Sequence, residues 1–258
     1  MYCIIHKKDK RMDRMESNME KIFISNIKIN KVRHLENIEI KLSDQEAKHL
    51  IITGKNGSGK TSLLNSIATF LGSITNSDDP IIEETSAGIM LDLNCSLEDV
   101  RQEFQQGHFI VAYYKADRVF RAQVPKHVEK VELKNDYTID ETPRDDFIKY
   151  LLDLKMTQAL AASNGKEEKA GKIKAWFERF EKLLQTIFED DFLKLEFDED
   201  TFKFKIIMNG REPFDFNTLS SGFAAVLDIV VDVIIRMEKQ EDNRDLIRLL
   251  FFHTFFSN

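Results

Sequence analysis

Apolar positions recur along this chain in distinct rhythms, and each rhythm predicts a different element. Leu35-Glu36-Asn37-Ile38-Glu39-Ile40-Lys41-Leu42 alternates apolar with polar, the period of a half-buried strand. Ile22 to Ile29 alternates in part and predicts a partner strand, so the two make an antiparallel pair. His49-Leu50-Ile51-Ile52-Thr53 and Phe109 to Tyr114 are short continuous apolar runs that read as buried strands, and Ile89 to Leu93 reads as a further strand. Between these, Ser62 to Leu71 carries its apolar residues at helical spacing, and Ser96 to Gln106 predicts a short helix capped by Ser96.

The second half changes period. From Arg144 to about Asp190 the pattern is helical, with Phe147, Tyr150, Leu151 and Leu154 on one face and Trp176, Phe177, Phe180, Leu183, Leu184 and Ile187 on another. Ser163-Asn164-Gly165-Lys166 is the expected break between two helices. This helical insertion over 144–190 lacks a sustained heptad and is too short for a long coiled-coil arm. Leu193–Glu196 and Phe202–Met208 predict a hairpin. Phe223, Val226, Leu227, Val230, Val231 and Ile234, three and four apart, predict a final helix within 215–238. Ser73 to Gly88 is acidic and loop-like, and residues 1–18 read as a charged, disordered lead with Met19 as an alternative start. The expected domain therefore runs over 19–258.

Composition narrows the class. With 258 residues, 42% apolar and 31% charged, the chain is expected to be soluble and globular. Its net charge of −7 gives no global attraction to nucleic acid, so any such contact must be a local basic patch. Cys3 and Cys95 form no metal-ligand spacing and suit a reducing, cytoplasmic compartment. No apolar run is long enough to span a bilayer, and the charges from Lys7 to Arg14 argue against a signal peptide.

Residues 54–61, Gly-Lys-Asn-Gly-Ser-Gly-Lys-Thr, carry the chemistry. They satisfy G-x-x-x-x-G-K-[ST] at Gly54, Gly59, Lys60 and Thr61, between an expected strand and an expected helix. A triphosphate tail needs many N–H donors and no side-chain clash. Gly57 and Gly59 let the backbone turn its N–H groups inward, with Asn56, Ser58 and Ser62 completing the lining. The helix presents its positive dipole end, Lys60 reaches the β- and γ-phosphates, and the Thr61 hydroxyl is the Mg²⁺ ligand. The bland alternative is a glycine-rich loop with an incidental lysine. Arg118, beyond the apolar run Phe109–Tyr114, is either a phosphate or partner contact or a surface ion-pairing arginine.

Leu219-Ser220-Ser221-Gly222-Phe223 opens the final helix. It resembles the Leu-Ser-Gly-Gly-Gln signature of ABC-type ATPases. Together with the P-loop and the stretch Ile27 to Ile40, the chain looks like the RecF, SMC and OLD-nuclease group of AAA family ATPases. The resemblance covers residues 20–72 and 215–238, with the middle matched in layout. It implies an α/β P-loop NTPase head of ABC type, ATP and Mg²⁺ as cofactors, and a homodimer or higher oligomer with ATP sandwiched between copies. In that arrangement Ser220 and Gly222 are the trans contacts to the γ-phosphate. It further implies coupling to DNA processing, in repair or phage defence, with a nuclease or effector as partner. Two positions depart from the pattern: Ser221 stands where glycine is usual and Phe223 where Gln or Glu is. A plain helix cap is the competing reading of the serines. For DNA, Lys28, Lys31 and Arg33 are the nearest basic cluster, or else a solvated strand face.

The resemblance also requires a Walker B strand ending in Asp-Glu after the signature. The chain runs Glu238 to Asp245 and then Leu246 to Asn258 with no further acid. Ile187-Phe188-Glu189-Asp190-Asp191 precedes the signature on a helical pattern and is rejected for the role, and the family's switch histidine is not transferred to His253. The expectation is a chain cut short before Walker B, with its Phe251, Phe252, Phe255 and Phe256 tail left uncovered, or a short form completed by another polypeptide. Catalytic acids are therefore unassigned, and a nucleotide-binding protein without turnover is the alternative function. A GTPase is disfavoured because Lys134-Asn135-Asp136 has the wrong order for guanine selection, and a P-loop kinase has no need of Leu219–Gly222.

Overall fold

A computed structural model describes residues 2–6, 22–76, 88–115, 125 and 127–239. Arg118, residues 7–18 of the expected lead, most of the acidic loop, and the aromatic tail with His253 lie outside the described residues. The chain divides into two compact units. One is built from Met1–Tyr114 with Lys134–Glu141, the other from Lys115–Leu133 with Thr142–Lys239.

In the first unit the predicted strand pair forms. Strands β2 (Ile24–Val32) and β3 (Leu35–Lys41) are antiparallel, with Ile27 opposite Ile40 and Ile29 opposite Ile38. On the other side β2 pairs antiparallel with β4 (Ile89–Leu93). Alternation sends Ile27 and Ile29 into the core, where they meet Phe70 and Leu71 of helix α1 (Lys60–Thr75) and Ile89 of β4. Helix α1 continues to Thr75, three residues into the stretch expected as loop. Arg101 of helix α2 (Leu97–Gln105) closes its end, donating from Nε to the Ile74 carbonyl at 2.8 Å and from Nη2 to that of Ser73 at 3.1 Å. Ser96 caps α2 as predicted, accepting from the Asp99 N–H at 3.1 Å.

Two expectations are corrected here. Strand β1 (Tyr2–His6), inside the expected disordered lead, pairs antiparallel with β5 (Phe109–Tyr113), the predicted buried run. The apolar run His49–Thr53 forms no strand: Ile52 packs on the core, but Ile51 is 79% exposed. An apolar run becomes a strand only if a neighbour takes its N–H and C=O groups, and no described strand pairs with it. All described strand pairs are antiparallel, in three small sheets ordered β1-β5, β3-β2-β4 and β6-β7, so the fold is mixed α/β without a parallel sheet among the described residues.

The second unit opens on a 3₁₀ turn at Pro143–Asp146. Helices α3 (Phe147–Ser163) and α4 (Glu167–Phe188) then form the predicted helical pair, broken at Asn164-Gly165-Lys166, where Gly165 takes φ +68°. An aromatic seam fills the pair, with Phe147 edge-on to Phe180 at 5.3 Å and Trp176 stacked on Phe180 at 5.5 Å. Strands β6 (Lys194–Asp198) and β7 (Lys203–Ile207) form the expected hairpin. Helix α5 (Ser221–Glu238) ends the described chain and is buried from Leu227 to Met237 apart from a half-buried Ile229. No helix among the described residues is long and apolar enough to cross a membrane.

Candidate functional site: a glycine loop at the head of α1

The loop before α1 has the backbone that its sequence predicts. Gly57 takes φ +83°, Gly59 +88° and Gly54 +151°, conformations that side-chain-bearing residues rarely adopt. The Ser58 N–H closes a turn onto the Lys55 carbonyl at 3.1 Å, and Leu63 N–H begins the helical ladder on Gly59 at 2.9 Å. Gly59 is also hemmed in from outside. A Cβ there would lie 3.1 Å from Leu35 Cδ1 and 3.2 Å from His34 Cε1, so the β2–β3 turn packs directly against the loop. That contact was not legible in the sequence, because it joins residues far apart along the chain.

Lys60 folds back over this loop. Its Nζ donates to the Gly54 carbonyl at 2.7 Å and to the Lys55 carbonyl at 3.0 Å. The ammonium thus sits where the loop's own carbonyls gather, at the N-terminus of α1. That terminus has no side-chain cap and no acidic residue in its first turn, so its positive end is left uncompensated. Thr61 lies exposed on the same turn, Ser58 and Ser62 are half-buried, and Asn56 is exposed. The arrangement offers backbone donors, a cation and a hydroxyl to one polyanion, and the open space beside Gly57 leaves room for it. These residues fit a nucleotide with Mg²⁺.

The profile of the AAA ATPase domain family matches residues 23–216, well over half of the chain. This chain belongs to the AAA ATPase domain family. The match supports a P-loop NTPase that binds and hydrolyses ATP, a family chemistry that generally uses Mg²⁺. None of the curated proteins matches the chain.

In this AAA ATPase the other expected site residues lie in the second unit. Ser220 is the N-cap of α5, with φ −60° and ψ 153°, and its hydroxyl makes no capping hydrogen bond. Ser220, Ser221 and Gly222 are exposed. Just upstream, Asp215 holds the approach to the helix: its Oδ1 accepts from the Asn217 N–H at 2.8 Å and its carbonyl from Thr218 Oγ1 at 3.0 Å. The departure at Phe223 has a structural reason. Its ring stacks on Phe188 at 4.6 Å and seats the start of α5 on the end of α4.

The basic cluster on β2 is largely neutralised. Lys28 Nζ lies 2.7 Å from Asp92 Oδ2 and Lys31 Nζ 2.7 Å from Glu36 Oε1. The Asp92 hydrogen bond raises the Lys28 pKa and in turn lowers that of Asp92. Arg33, at the turn with φ +55°, is exposed. The region where Walker B is expected, beyond Lys239, lies outside the described residues.

One group of charged residues escaped the sequence reading. Asp228, Asp232 and Arg236 are each no more than 2% exposed on α5. Arg144 Nε meets Asp228 Oδ1 at 2.8 Å and its Nη1 meets Asp232 Oδ1 at 3.3 Å, while Arg236 Nε meets Asp232 Oδ2 at 2.7 Å. The available signal was charge at a strict i, i+4, i+8 repeat in an otherwise apolar helix.

Proposed function

We propose that this AAA ATPase is the ATP-binding and ATP-hydrolysing module of a RecF/OLD-type, ABC-like ATPase coupled to DNA processing, in repair or in defence against phage. The observation that carries nucleotide use is Lys60 Nζ held 2.7 and 3.0 Å from the Gly54 and Lys55 carbonyls, at an uncapped helix N-terminus. The finer assignment rests on Ser220–Gly222 opening a helix, on the Ile27–Ile40 stretch and on the antiparallel strand pair.

In this reading Lys60 exchanges the two loop carbonyls for the β- and γ-phosphates. The N–H groups from Gly57 to Ser62 hold the phosphate oxygens, and Thr61 is the metal ligand. Mg²⁺, when bound, neutralises charge on the phosphate oxygens. Ser220 and Gly222 of one copy contact the γ-phosphate held by another, which makes the active form a homodimer or higher oligomer. DNA and a nuclease or effector are the proposed partners, and the cytoplasm is the proposed location.

Titration with ATP and Mg²⁺, wild type against Lys60→Ala, tests the core of the reading. Loss of a charge-assisted donor pair weakens binding about ten- to a hundredfold. Equal affinity in the two proteins would refute it. Turnover on the same samples decides a second reading, a nucleotide-binding interaction protein without hydrolysis. That reading shares the nucleotide site and differs from the first only in turnover, so hydrolysis and not affinity tells the two apart. Binding without turnover selects it.

A further inference from the structure

Helix α5 poses a problem of aim. Val230, Val231, Val233, Ile234 and Ile235 are all buried, so its middle is apolar on nearly every side. Such a helix has no broad solvent-facing stripe to set its rotation, so packing and specific polar contacts must resist rotation or sliding. A slip of one residue shifts its N-terminus by about 1.5 Å and turns it by about 100°. The N–H groups and hydroxyl at Ser220–Gly222 cannot meet a phosphate under that freedom, because a misplacement of about 1 Å already weakens such a contact severely.

The buried charges remove it. Asp228, Asp232 and Arg236 form a single stripe along α5, and Arg144 reaches two of them from the 3₁₀ turn, where Pro143 stiffens the backbone. Its planar guanidinium spans both carboxylates, which only one rotation and one register of α5 satisfy. A buried ionic group of this kind adds little net stability compared with apolar side chains of similar volume, and setting register is its best-attested use.

We infer that Arg144, with Asp228, Asp232 and Arg236, is a positioning network that fixes the rotation and register of α5 so that Ser220 and Gly222 are aimed at the nucleotide of a second copy. The inference rests on the trans role of Ser220 proposed above. The four-residue variant Arg144→Met, Asp228→Leu, Asp232→Leu, Arg236→Met is charge-balanced and tests it in the full chain. Three quantities are read: the thermal midpoint, affinity for a fluorescent non-hydrolysable ATP analogue, and analogue-dependent self-association by analytical ultracentrifugation. The expected result is a midpoint at or above wild type, analogue affinity within twofold, and self-association at least tenfold weaker. Self-association at wild-type strength overturns the inference, and so does a parallel loss of analogue binding, which would mark general damage. If the variant does not fold, Arg144→Lys is measured against the same criteria, since one ammonium cannot bridge both carboxylates. Ser220→Ala separates the two levels. If wild type binds the analogue without associating, or Ser220→Ala associates as wild type does, the trans site itself fails. If Ser220→Ala weakens association and the network variants do not, the positioning role alone fails.

Discussion

Gly57 and Gly59 have nearly the same backbone conformation and very different surroundings, so alanine at each separates strain from packing. Both sit at left-handed φ, +83° and +88°, where a Cβ costs about 1–2 kcal/mol. Both substitutions also reduce the freedom of the unfolded chain by the same amount, which cancels in the comparison. At Gly57 a Cβ meets nothing within 4 Å, so Gly57→Ala is expected to cost only the backbone term. At Gly59 it lies 3.1 Å and 3.3 Å from Leu35 Cδ1 and Cγ and 3.2 Å from His34 Cε1. Overpacking of that kind adds about 1–3 kcal/mol, and the exposed His34 can swing away, which places the increment at the lower end. Gly59→Ala should therefore be about 1–2 kcal/mol less stable than Gly57→Ala, roughly five- to thirtyfold in the folding equilibrium. Urea unfolding of the two variants measures this as a lower midpoint at unchanged slope. A cycle with Leu35→Ala isolates the contact: shortening Leu35 should recover about 1 kcal/mol in the Gly59→Ala background only. Equal midpoints for the two alanine variants, or no coupling with Leu35, would show that the β2–β3 turn does not brace the loop.

Three further outcomes are expected. At Gly88, φ +69°, a Cβ would lie 2.0 Å from the Lys31 carbonyl oxygen, and the Gly88 carbonyl accepts from the Asn30 and Lys31 N–H groups. Gly88→Ala should thus cost at least about 3 kcal/mol or abolish soluble expression, read by urea unfolding. Phe223→Gln restores the residue type of the family pattern but gives up the stack on Phe188; a loss of about 1–2 kcal/mol is expected, measured by thermal melting, and an unchanged midpoint would show that the ring does not seat α5. Burial raises the pKa of Glu238, whose Oε2 accepts from Trp176 Nε1 at 2.9 Å. Its contribution is therefore most favourable at pH below the ordinary glutamate range and is lost as pH rises through the raised value. Glu238→Gln should raise the thermal midpoint at neutral pH, by about 2–4 °C for each kcal/mol relieved, with the gain vanishing at acid pH. A gain that is the same at every pH would remove burial of the charge as the cause.

The sequence by itself determined what depends on local spacing. The glycines at 54, 57 and 59 dictate a loop of left-handed backbone, and the lysine that follows at 60 begins a helix whose uncapped end attracts anions. Alternation fixed the β2–β3 pair, helical period fixed α3, α4 and α5, and the polar break at Gly165 fixed where the helical hairpin turns. Tertiary structure decided whatever needs a partner distant in sequence. Leu50-Ile51-Ile52 has the composition of a strand, yet only a neighbouring backbone can make it one, and none of the described strands does. Tyr2–His6 sits next to a highly charged stretch, yet β5 gives it a ladder. Lys28 and Lys31 read as a basic cluster until Asp92 and Glu36 come alongside. Asp228, Asp232 and Arg236 stand in an otherwise apolar helical pattern, and only folding brings Arg144, 84 residues from Asp228, onto the same buried stripe. Periodicity reports which face of an element is apolar, whereas pairing of backbone groups and of charges depends on which other element arrives, and that is fixed only when the chain has folded.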